Sequence, residues 1–449
     1  MSTNYTFNDR DEFQRKQIAE KAVKILSSDI DISPMVIDGG WGTGKTEFCH
    51  KLISLMEEDD THHLIYVDAF QADHADEPLL TILAEVIKLL PDDEAKQSFI
   101  QKVLPTARYG LKTLGKAAMA HLLRQDVTDV VDDFDKEIQK TTDKAIDASV
   151  EALLKDHIKA DESLKSLQET LKDIADKKPI ILFIDELDRC RPDFAVHMLE
   201  IIKHTFNVEG VKFVLITNTQ QLKAAINHCY GSSIDSQRYL DKFLKLTINL
   251  PSFVNQEYSK QKISLAHYIN LINKSTTLSD QDLTQKGTTT FLEHFFSVKK
   301  LTLREIETFV RHLEIAQALN YEFFHKNQVY GYKLFNLLGV LLHCFEPEIS
   351  KSLSDEHFDA TALIQSFNET SKSLNDIQGH LKPHQVILAL VCSDSPQNRV
   401  IYYPKQESDI QMFERNIEGY FSRGWGRPDT GESYKIVANA INLINFTNN

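Results

Sequence analysis

The run Gly39-Gly40-Trp41-Gly42-Thr43-Gly44-Lys45-Thr46 constrains this chain more than any other feature. It fits the pattern G-x-x-x-x-G-K-[ST], in which glycines let the backbone curl until successive N–H groups point at phosphate oxygens. The pattern carries weight only between a strand and a helix, and both are written around it. Pro34-Met35-Val36-Ile37 is a short apolar run that ends in glycines, and Phe48, Leu52, Ile53, Leu55 and Met56 recur at helical spacing beyond it. That helix would add its positive N-terminal end to the loop. Lys45 is expected to reach β- and γ-phosphates, and Thr46 to give its hydroxyl to Mg2+. Residues 39–46, with Glu47 directly after them, form the expected nucleotide-binding stretch. Trp41 either packs beneath the loop or touches the nucleotide. The competing reading is a glycine-rich turn that binds nothing.

Further apolar runs follow at Leu64-Ile65-Tyr66-Val67, 180–184, 211–217 and 244–250, with helical stretches around 194–206 and 220–227. Strands alternating with helices imply a mainly parallel sheet of five strands, covered by helices on both faces. A leading helix is expected over 9–28. Between Leu79 and Asp176 no strand is written, so 71–178 read as a helical insertion into a core made of 1–70 and 179–251. Within it Leu164, Leu167, Leu171 and Ile174 form an apolar stripe that either the core itself or another subunit must cover. Beyond Pro251 the pattern is helical and polar, which makes 252–449 a mostly α region with helices near 256–274, 302–319, 330–345, 383–393 and 409–422.

The apolar run 180–184 leads directly into Asp185-Glu186-Leu187-Asp188-Arg189. In an open parallel sheet the carboxyl ends of the strands are where ligands bind. Asp185 is the expected partner of Mg2+, directly or through water, and Glu186 is placed to polarise an attacking water. Asp188 and Arg189 either pair with each other to shape the loop or act in catalysis. An acidic run that merely marks the strand's exit is the alternative for the whole segment. Asn218, after the run 211–217, either senses the γ-phosphate or caps the helix that begins near Gln220. No N-K-x-D pattern accompanies it, which favours ATP over GTP.

Composition limits the remaining classes. A chain of 449 residues exceeds one ordinary core and calls for two or three domains, and 42% hydrophobic with 26% charged residues describes a folded protein. The formal charge of −15 argues against a surface adapted throughout to polyanions, so a nucleic-acid translocase would need a local basic channel. The five cysteines are scattered and include no C-x-x-C pair, which fits a reducing cytoplasm. The N-terminal residues lack a signal-peptide core, and nowhere do eighteen apolar residues run without charge. A soluble, cytoplasmic protein is expected. His62, His63 and His74, like His197 and His204, lack the spacing of a metal site. Arg423-Gly424-Trp425-Gly426-Arg427 is either a stacking surface or a loop with one anchoring Trp.

The phosphate loop, the run Phe183-Ile184-Asp185-Glu186-Leu187-Asp188-Arg189-Cys190-Arg191-Pro192 and the later Tyr239-Leu240-Asp241-Lys242-Phe243 together resemble the KAP family of P-loop NTPases, over about residues 10–320. The resemblance implies a sheet of the ASCE type, in which one strand intervenes between the two motif-bearing strands, with Glu186 as catalytic glutamate and ATP and Mg2+ as ligands. It places an arginine finger at Arg238, unless that residue is simply solvated, and a second sensor at Arg304. Many relatives carry transmembrane helices in the insertion. Here Tyr109–Leu123 contains Lys112, Lys116 and His121 and is too short to span, so it reads as a core helix or an amphipathic one on a partner or membrane. The implied activity is an ATPase that moves or assembles the helical regions, through homo-oligomers or a protein partner, in bacterial antiviral defence. A slow nucleotide-dependent switch remains the alternative.

Overall fold

In a computed structural model the chain is described over residues 6–449, apart from 101–149 and the short stretches 76–77, 91, 257–258, 355–357, 371–373, 375–379, 395, 422–425 and 447–449. Two compact units divide it, Met1–Pro251 and Ser252–Asn449. The segment Tyr109–Leu123 and the residues Arg423–Trp425 lie outside the described residues.

The first unit is built on five parallel strands, β1 (Met35–Asp38), β2 (His63–Asp68), β3 (Ile180–Asp185), β4 (Val211–Thr217) and β5 (Leu246–Asn249), in the order β2-β3-β4-β1-β5. Every residue of β3 is buried, as an apolar strand covered on both faces must be. Its side chains alternate between two layers. Ile180, Leu182 and Ile184 join Phe213, Leu215 and helices at Pro78–Ile87, Val150–Ala175 and Pro192–His204. Ile181 and Phe183 join Val214, Ile216 and the helices α1 (Lys16–Leu26) and α2 (Lys45–Glu57). β4 lies between β1 and β3, so the strand bearing the phosphate loop and the strand bearing the acidic turn are separated by one strand. This is the ASCE arrangement.

One expectation about helices needs correcting, and one open alternative is decided. The leading helix begins at Lys16 rather than near residue 9, because Asp11 caps it, accepting from the backbone N–H groups of Arg15 at 2.7 Å and Lys16 at 3.1 Å. The residues ahead of it pack Phe7 and Phe13 against the unit without forming helix. In the segment read as an insertion, Leu167 and Leu171 are fully buried in the same cluster as β3 and β4. The stripe is therefore core of the nucleotide-binding unit, and no second subunit is needed to cover it.

The second unit opens with an antiparallel hairpin, β6 (Phe253–Gln256) and β7 (Ser259–Lys262), where a helix from 256 was expected. Helices at Ile263–Lys274, Leu303–Leu319, Tyr330–Phe345, Pro383–Ser393 and Glu407–Phe421 follow, with Lys286–Lys299 and Ser433–Ile444 among the others. Their core is large and aromatic, including Phe291, Phe295, Phe309 and Phe335, so the region is less polar than its sequence suggests. Thr302 and Glu305 close a reciprocal capping box that starts the helix carrying Arg304. Among the described residues no helix is long and apolar enough to cross a membrane.

Replacing Leu167 or Leu171 by Ala should lower unfolding free energy by about 2–5 kcal/mol each, measured by urea denaturation. Unchanged stability with altered self-association would move the stripe from core to interface.

Candidate functional site

Parallel register brings the C-terminal ends of four strands to one level. Asp38 pairs with Thr217, and Asp185 with Ile216 and Asp68. The phosphate loop leaves β1 at this edge and the acidic turn leaves β3.

The loop's shape depends on glycine at two points. Gly44 sits at φ 78°, a left-handed conformation, and a Cβ on Gly39 would meet Thr43 Oγ1 at 2.8 Å. Arg15, itself buried, donates to the Thr43 carbonyl at 2.8 Å and the Pro251 carbonyl at 3.4 Å, and so braces the loop from behind. Burial depresses the pKa of this guanidinium to about 10, although Glu47 and Asp11 oppose the shift.

Lys45 is buried, and its ammonium donates to the carbonyls of Gly39 at 2.8 Å and Gly40 at 3.1 Å. Burial lowers its pKa, and Asp188 and Asp185 oppose the shift. Asp188 Oδ2 lies 3.8 Å from Lys45 Nζ and also accepts from Trp41 Nε1 at 2.7 Å, while its Oδ1 accepts from Thr217 Oγ1 at 3.2 Å. This one carboxylate thus ties the phosphate loop to the ends of β3 and β4. Trp41, expected to pack or to touch nucleotide, is 51% exposed and held by that bond.

Asp185 has no exposed surface. Tyr66 donates to Oδ2 at 3.2 Å and the Glu186 N–H donates to Oδ1 at 2.7 Å, and the Thr46 hydroxyl is near enough to lower its pKa. Burial raises its pKa despite these bonds, which lower it. Glu186 takes the left-handed conformation, φ 59°, which costs a non-glycine residue about 1–3 kcal/mol and occurs where function re-aims a side chain. Its carboxylate pairs with Arg189 at 2.7 Å across the short 3-10 turn Leu187–Arg189. The pairing with Asp188, one of the two readings of Arg189, is thus not the one formed, since Arg189 pairs with Glu186. Beyond the turn Arg191 clamps the buried Asp73 through its backbone N–H and its side chain.

Lys45, Thr46, Asp185 and Glu186 therefore meet at one edge, and Asp188, Thr217 and Tyr66 join them. The chain around Asp188 was legible as an acidic run, but its partner emerges only when the 3-10 turn folds the carboxylate back. Other predicted residues lie apart. Glu47 gives its carboxylate to Arg10 at 2.9 Å and Lys51 at 2.7 Å, so the structure does not bring that group to Lys45. Asn218 accepts from the N–H of Gln220 at 3.0 Å and caps the helix Thr219–Tyr230. Arg238 has a side chain 86% exposed and pairs with Asp235 at 3.2 Å. Arg304 is exposed on the second unit.

A phosphate loop leaving β1 and an acidic turn leaving β3, with one strand between, define a nucleotide-binding P-loop NTPase. The model of the KAP family P-loop domain matches residues 15–320, and the chain belongs to that family. No curated protein matches it.

Lys45→Ala removes the cation nearest the phosphates and should weaken ATP binding by at least about tenfold, or about 1.4 kcal/mol, in calorimetric titration. Unaltered affinity would remove Lys45 from the site.

Proposed function

We propose that the chain binds ATP with Mg2+ and hydrolyses it, so that nucleotide state alters conformation or assembly. The observation that carries this reading is the fully buried carboxylate of Asp185 at the end of β3, on the edge where Thr46 and the phosphate loop also lie. Burial penalises the ionised form of this carboxylate, a cost that a cation beside it would offset, and Asp185 with Thr46 offers two oxygen donors suited to Mg2+. When bound, Mg2+ supplies positive charge across the β- and γ-phosphates. Lys45 would exchange its loop carbonyls for phosphate oxygens, and Trp41 and Thr217 would keep Asp188 in place as it does so. Glu186 would accept a proton from the attacking water once its carboxylate turns from Arg189.

The Glu186–Arg189 pair also supports a second reading, a slow switch in which Arg189 restrains the base. Arg189→Ala separates the two. If the pair restrains catalysis, phosphate release should rise severalfold; if Arg189 positions Glu186, it should fall. Arg238, exposed near the start of β5, is suited to reach a neighbouring copy's γ-phosphate. In that case Arg238→Ala lowers turnover at unchanged nucleotide affinity, and mixing with Lys45→Ala chains restores part of it. No restoration would confine Arg238 to its own chain.

Glu186→Gln keeps shape but loses the basic carboxylate, so phosphate release should fall by about a hundredfold or more while ATP stays bound. Wild-type turnover in this variant would show Glu186 to be structural.

A further inference from the structure

The second unit holds a cluster that the nucleotide site does not use. His294 lies on the helix Lys286–Lys299, His384 at the second position of the helix Pro383–Ser393, and Glu369 just beyond the helix Ala360–Ser366. Local chemistry sets each of them. Asn368 takes φ 54°, while the Glu369 N–H bonds the Ile364 carbonyl at 2.9 Å and the Asn368 N–H bonds the Gln365 carbonyl at 2.9 Å. This is a Schellman ending, with asparagine in the left-handed position, and it turns Glu369 inward. Pro383 opens the next helix with a preset φ, which puts His384 one residue inside it.

The hydrogen bonds leave the imidazoles incompletely satisfied. His384 has no exposed surface, and its Nε2 meets Glu369 Oε1 at 2.8 Å, while Tyr402 donates to Glu369 Oε2 at 3.0 Å. With Nε2 donating to the carboxylate, Nδ1 of His384 carries a lone pair, and this buried atom has no hydrogen-bond partner among the described residues. His294 Nε2 is likewise engaged, at 2.8 Å from the Phe367 carbonyl, which leaves its Nδ1 as the lone-pair atom. The two rings stack with centroids 3.6 Å apart. Ligand atoms from the two histidines and Glu369 lie within 4.8 Å of one another. A buried acceptor without a donor is destabilising, and a cation on this atom would remove that cost.

We propose that the Nδ1 atoms of His384 and His294 bind a divalent transition-metal ion, Zn2+ by the chemistry of its donors, with Glu369 as the outer support that sets the His384 tautomer. Imidazole nitrogens are common ligands of this ion, and a carboxylate that fixes the tautomer of a ligating histidine, as Glu369 does for His384, is the usual outer support. Coordination requires His294 to tilt out of the stack, a rotation open to it because it is only half-buried. The ion and its carboxylate support would then join three segments of the second unit that are distant in sequence.

The test is equilibrium dialysis of the full chain against ZnCl2, with zinc read by mass spectrometry, and with Co2+ absorption as a measure of ligand geometry. About one Zn2+ per chain should remain in the wild type. His294→Ala, at a half-buried position, and His384→Gln should each weaken binding at least about tenfold, the range seen when ligands or their supports are removed. ATP binding by the first unit verifies that each variant is folded there, and circular dichroism verifies the helices of the second. A wild-type chain that retains no zinc, or folded variants that retain it equally, would overturn the site.

Discussion

The functional edge depends on the parallel register of β1, β3 and β4. Because Asp38 is level with Thr217 and Asp185 with Ile216, the phosphate loop and the acidic turn emerge side by side although they are far apart in sequence. Parallel pairing is sustained by a strand buried on both faces, and β3 supplies one without a polar residue before Asp185. A shift of one residue would exchange the two layers that Ile180, Leu182 and Ile184 and their neighbours Ile181 and Phe183 fill. The same packing that stabilises the sheet therefore aligns the chemistry.

Charge is arranged at that edge so that each group has a partner it can exchange. Lys45 is bonded to loop carbonyls and faces Asp188, Asp185 accepts from Tyr66 and the Glu186 N–H, and Glu186 is paired with Arg189. Leaving any of these buried charges alone would be costly, and removing one partner leaves the other exposed to that cost. Asp188 matters most in this respect. Through Trp41, Lys45 and Thr217 it couples the loop to two strand ends, so a ligand that draws Lys45 away alters the acidic turn as well.

Much of this was legible in the sequence. Buried parallel strands are written as apolar runs, which is why β1, β3 and β4 were located; β5, at the sheet's edge, was marked by the alternation of Leu246 and Ile248 with polar residues, and the glycine-lysine pattern set the loop by its own stereochemistry. The hairpin β6–β7 escaped because Phe-Val-Asn-Gln and Ser-Lys-Gln-Lys carry neither alternation nor a turn glycine. The helix Lys286–Lys299 begins with Gly287 and three threonines, which hide its apolar face. Arg15 gave no signal, since its bond to Thr43 spans the fold rather than a motif. The stripe at Leu167 and Leu171 was visible, but a stripe does not name what covers it. Asn218 showed the same limit, because one residue type serves both a cap and a sensor.

The central claim is that this edge hydrolyses nucleotide with a divalent cation held by Thr46 and Asp185. Phosphate release from saturating ATP by the wild-type chain, with Mg2+ and with EDTA, tests it most directly. The account predicts repeated turnover in Mg2+ and none in EDTA. Nucleotide held tightly with no phosphate released in either condition would contradict it.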